Sequence, residues 1–138
     1  MAAILYKRTH NKVFKDIDPD QFAAVFKKEL AKERDLMSNP QFITDHYKEN
    51  DYEPDFVLYQ LYGGGIDAML DKFRKANEHG LDPKLFKPEE IKALADKFYS
   101  KNAIKTPEEA YRYMARLEIL AANSLIDYSS ALRFGVIS

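Results

Sequence analysis

Thr106, Pro107 and Glu109 open the last long apolar run of the chain, TPEEAYRYMARLEILAANSLIDYSSALRF. A threonine N-cap, proline at the first helical position and glutamate three residues after the cap form a capping box, so a helix starts here. On a helical wheel Arg112, Arg116, Asn123, Asp127 and Ser130 share one narrow polar face, while Leu117, Ile119, Leu120, Ala121, Ala122, Leu125 and Ile126 cover nearly all the rest. A helix that is apolar on most sides is a buried one. The remainder of the chain is therefore expected to pack around it. Glu118 breaks the pattern, because it falls inside the apolar arc. A carboxylate there must find a partner or hold its proton. The plain expectation is a pairing with a Lys, Arg or Tyr of a neighbouring helix; the sharper one is a functional acid.

Prolines punctuate the rest. Pro19, Pro40, Pro54, Pro83, Pro88 and Pro107 each precede an apolar or aromatic segment, and none interrupts a helical pattern. Proline suits the first turn of a helix and breaks its interior. Asp18 caps a first helix with Phe22, Val25, Phe26 and Leu30 inward, and Asn39 caps a second, QFITDHYKEN. FVLYQLY at residues 56–62 suits either a buried strand or a short helix; Pro54 and the helical neighbours favour the helix. Gly63, Gly64 and Gly65 break the chain, and Ile66, Met69, Leu70, Phe73 and Ala76 then share one stripe, with Gly80 as a stop signal. Ile91, Leu94, Ala95 and Phe98 form the inner side of another helix. The connectors are short and no strand finds a partner. The expected fold is all-α: a single compact helical domain of about five or six helices around the long C-terminal one.

Residues 1–17 read as a separate piece, an extended N-terminal arm ahead of a helical domain over 18–138. Apolar Ile4, Leu5, Tyr6, Val13 and Phe14 alternate with Lys7, Arg8, His10, Lys12 and Lys15, and no helical period fits. The other end, RFGVIS, is apolar after the helix should have closed, through Phe134, Val136 and Ile137. Segments this apolar are poorly suited to solvent, so both ends are expected to bind a partner chain. The basic residues would then meet an acidic surface, and the stretch around Asp45, Glu49, Asp51 and Glu53 of another copy suits them. The expected partner-binding residues are Ile4, Leu5, Tyr6, Lys7, Arg8, Lys12, Phe14, Phe134, Val136 and Ile137.

The sequence offers little that could carry catalysis. A chain of 138 residues, 46% hydrophobic and 31% charged, suits one soluble domain, and its net charge of −1 supplies no global field toward nucleic acid or anionic membrane. It has no cysteine, which removes thiol catalysis and the common structural zinc sites. No apolar run reaches the roughly 18 residues of a membrane span, and the first residues lack the layout of a secretory signal. A cytoplasmic setting, or a virus particle assembled there, fits. Gly63, Gly65 and Ala68 match a dinucleotide-loop spacing, but Asp67 sits where a pyrophosphate would lie and no further βα unit follows. His46 and Glu49 are one helical pair without a second, too few for a bundle metal site. Ser124, Ser129 and Ser130 have no motif around them. No cofactor or metal is expected. The leading reading is a non-catalytic structural or interaction subunit of a larger assembly, for instance a virion component such as a phage head–tail adaptor. A nucleic-acid-binding regulator using the basic arm, and a small helical enzyme or ligand-binding domain centred on Glu118, are the alternatives.

Overall fold

The computed structural model describes residues 1–134 of the chain. It contains six α-helices: α1 (Ala2–Thr9), α2 (Pro19–Lys32), α3 (Pro40–Glu49), α4 (Gly65–Arg74), α5 (Pro88–Tyr99) and α6 (Pro107–Phe134). Short 3-10 turns at Lys12–Asp16, Arg34–Leu36, Ala76–His79 and Pro83–Phe86, and one π-helical turn at Phe56–Gln60, connect them. No strand occurs among the described residues, so the fold is all-α.

The prolines mark the starts. Pro19, Pro40, Pro88 and Pro107 each begin an α-helix and Pro83 begins a 3-10 turn. The Asp18 and Asp82 side chains accept the N–H groups of Asp20 at 3.3 Å and Lys84 at 3.0 Å. At the head of α6 the Glu109 N–H donates to the Thr106 hydroxyl oxygen at 3.1 Å, the bond a capping box requires. Ala110, Met114, Ala115, Leu117 and Ala121 of α6 are completely buried. Around them pack α2, α5, the π turn and the turns at Lys12–Asp16 and Pro83–Phe86.

The first segment departs from the expected extended arm. Ala2–Thr9 is helical and closes on His10, which takes the left-handed conformation (φ 53°) and donates its N–H to the Tyr6 carbonyl at 2.8 Å. The Asn11 side chain accepts the Val13 N–H at 3.0 Å and starts the following turn. Leu5 and Phe14 belong to the common hydrophobic core, at 0% and 1% exposure. A helix of eight residues followed by a five-residue turn sends one large side chain inward from each piece. Neither piece is long enough to display a period, which is why the sequence pattern looked extended.

The 56–62 run resolves as helix. The Leu61 N–H bonds the Phe56 carbonyl at 2.9 Å, five residues back, and Val57, Leu58 and Leu61 are buried. Gly64 follows at φ 81° with open space where a Cβ would stand, whereas a Cβ on Gly65 would lie 1.9 Å from the Gln60 side-chain oxygen. Gly64→Ala is therefore expected to cost only the left-handed strain, about 1–2 kcal/mol in urea unfolding. Gly65→Ala is expected to displace Gln60, visible as a changed environment of the Gln60 side-chain amide by NMR.

Candidate functional site

The fold sorts the residues expected to meet a partner into two groups. Leu5 and Phe14 face the interior, and the Phe14 ring lies 6.1 Å from that of Phe98. Ile4 and Tyr6 are half-buried against the core, so the composition that looked unsuited to solvent is largely satisfied within the chain. Lys7, Arg8 and Lys12 are exposed, and so is Lys15, whose ammonium sits 4.4 Å from the centre of the Tyr6 ring. At the other end Phe134 is 73% exposed and Leu132 46%, beside the guanidinium of Arg133 5.4 Å from the Phe134 ring. Val136 and Ile137 lie outside the described residues.

Glu118 does find partners. It is fully buried, and its carboxylate accepts a hydrogen bond from the Tyr47 hydroxyl of α3, from the Phe56 N–H at 3.2 Å and from the Val57 N–H at 3.1 Å. These two N–H groups open the π turn, so one carboxylate ties α3 and the turn to α6. Tyrosine was among the expected partners; the backbone donors were not, and no sequence signal marks them. Burial pushes the Glu118 carboxyl up from 4.5 to about 7, held back by Tyr47 and then by the Val57 and Phe56 N–H groups, with Asp55 pushing the other way. Burial, and then the Glu118 carboxylate, pushes the Tyr47 phenol far up.

Part of the polar stripe read from the helical wheel anchors the fold, through Arg116, Asn123 and Asp127, while Arg112 and Ser130 are exposed. Asn123 is buried and its side-chain oxygen accepts the Ser38 N–H at 3.3 Å, while the Ser38 hydroxyl donates to Asp127. Arg116 faces the buried Glu29 of α2 at 3.9 Å. These residues thus pin α2 and the connector at Ser38, just before α3, to α6. A cleft of about 200 Å³ opens alongside, with Leu36, Met37, Leu94 and Leu120 in its lining, and another of about 330 Å³ lies beside Phe56, Gly65 and Lys72. Small-molecule sites usually span about 300–1,000 Å³ around convergent polar groups. Glu118 lines neither cleft, and its hydrogen bonds brace α3 and the π turn against α6. No group of three or more His, Asp or Glu side chains is arranged to hold a metal among the described residues. No helix among them is long and apolar enough to cross a membrane.

A family model described as Scaffold domain matches residues 41–138, from the start of α3 to the end of the chain. No curated protein and no solved structure matches. The matched stretch contains all four groups of the Tyr47–Phe56–Val57–Glu118 brace and excludes the basic first segment.

Proposed function

Since the chain belongs to the Scaffold domain family, we propose that it works as a non-catalytic structural subunit, docking on neighbouring protein chains through the outer side of its first segment and the end of α6. The observation that carries this reading is the exposed apolar end of α6, at Leu132 and Phe134, in a family whose description is that of a scaffold. Large apolar side chains at a helix end gain about 1.5–3 kcal/mol each on burial against a partner. The exposed lysines and arginine of the first segment, by the start of α6 and so away from Phe134, offer a second, charged contact that favours correct orientation more than affinity. A virion component such as a phage head–tail adaptor is one concrete form of such a subunit.

The test is the molar mass of the full chain by light scattering over a range of concentrations. The wild type is expected to run heavier than one chain. Phe134→Asp is expected to weaken that association by at least about tenfold, the equivalent of about 1.4 kcal/mol, with an unchanged thermal midpoint. A wild type that stays monomeric throughout, or a Phe134→Asp variant that associates as the wild type does, overturns the reading.

A further inference from the structure

The geometry points to a composite basic surface, built from residues 7–15 and 101–105, whose occupant is the acidic 45–55 face of a second copy of this chain. This deepens the docking function proposed above and rests on it.

The two basic stretches are far apart in sequence and joined in the fold. The Asn11 side-chain amide donates to the Ile104 carbonyl at 3.0 Å, and Phe14 meets Phe98 just before the α5–α6 connector. Lys12 and Lys105 are therefore chain neighbours of two directly bonded residues, and Lys101 belongs to the same connector. Lys7, Arg8, Lys12, Lys15, Lys101 and Lys105 are all exposed. The four ion pairs among the described residues use none of them. A basic arm by itself would be a loose string of charges; fixed beside the connector it becomes a surface of defined shape.

The complementary face is equally unneutralised. Asp45, Glu49, Asp51, Glu53 and Asp55 follow one another with only Lys48 of opposite sign, and they too stand outside those ion pairs. Burial, and then neighbouring Glu53, raises the Asp55 carboxyl above its usual range, against a smaller lowering by His46. Within one chain the two faces sit at different levels of α6. The acidic stretch runs into Phe56 and Val57, which bond Glu118. The basic connector meets α6 at its start, Pro107. The rise of an α-helix places those levels about 16 Å apart, roughly twice the Debye length of physiological salt. Each copy thus offers one face of each sign to its neighbours, a head-to-tail contact that closes into rings or propagates. Nucleic acid would also be attracted by the cations, but the family is described as a scaffold, and the chain itself carries the opposite charges at Asp45, Glu49, Asp51, Glu53 and Asp55.

The experiment uses the full chain and two variants, Lys101→Glu/Lys105→Glu and Glu49→Lys/Asp51→Lys, each checked for folding by circular dichroism. Wild-type association, read by sedimentation velocity, is expected to weaken with added salt. Each variant alone is expected to associate at least about tenfold more weakly. An equimolar mixture of the two is expected to regain association, because the reversed faces match each other. If the wild type associates through Phe134 while the connector variant associates as the wild type does, the composite surface is wrong and the docking function stands. A wild type that does not associate at all removes both. A fluorescent single-stranded oligonucleotide that binds the wild type and is lost in the connector variant, with self-association untouched, reassigns the surface to nucleic acid and overturns the proposal.

Discussion

Glu118→Ala is expected to lower the unfolding free energy by about 3–5 kcal/mol, because it strands the Tyr47 hydroxyl and the Phe56 and Val57 N–H groups in the interior. Glu118→Gln keeps one acceptor oxygen and nearly the same volume, and is expected to cost about 1–2 kcal/mol. Urea unfolding at pH 7 separates the two; equal stability of both variants and the wild type would show that the brace contributes nothing. The pH dependence gives a second readout. The folded-state carboxyl titrates near 7 against an ordinary 4.5, so between those values the native chain holds a proton that the unfolded chain has released. The contribution of this group is therefore complete below pH 4.5 and is lost as pH rises to about 7, on the order of 3 kcal/mol. Glu118→Gln is expected to lack that slope, so its stability deficit relative to the wild type shrinks with rising pH. Tyr47→Phe removes one of the bonds that favour the charged form and is expected to move the loss to higher pH.

Phe14→Ala is expected to destabilise the chain by about 3–5 kcal/mol, the usual range for emptying a phenylalanine site that cannot collapse. Phe14 is 1% exposed and packs beside Phe98, with the turn around it tied to Ile104. Deleting residues 1–15 removes Leu5 as well and is expected to cost more still, leaving a loosened or unfolded chain. Lys12→Ala, on the exposed side of the same turn, is expected to stay within about 0.5 kcal/mol of the wild type. Thermal or urea unfolding of the three decides whether this segment is part of the core. A deletion that melts like the full chain would return it to the status of an appended arm.

What the sequence determined on its own is the part governed by rules that act within a few residues. The capping box at Thr106, the proline starts and the apolar stripes of α2, α4 and α5 follow from local steric and hydrogen-bond requirements, and they led to an all-α chain organised around its last long helix. Tertiary structure decided whatever depends on a partner distant in the chain. The π turn holds its shape with its first N–H groups on Glu118, more than sixty residues away. Arg116, Asn123 and Asp127 of the α6 polar stripe are tied down because the Ser38 connector and Glu29 of α2 supply their partners, while Arg112 and Ser130 are exposed. The first segment became helix and turn because Leu5 and Phe14 each found a place in a core made by other elements, and two isolated anchors carry no period that a sequence pattern can reveal. Glu118 shows the division within one residue. Its need for a partner follows from a carboxylate on an apolar arc, whereas the identity of that partner follows only from which backbone and which tyrosine the fold brings against it.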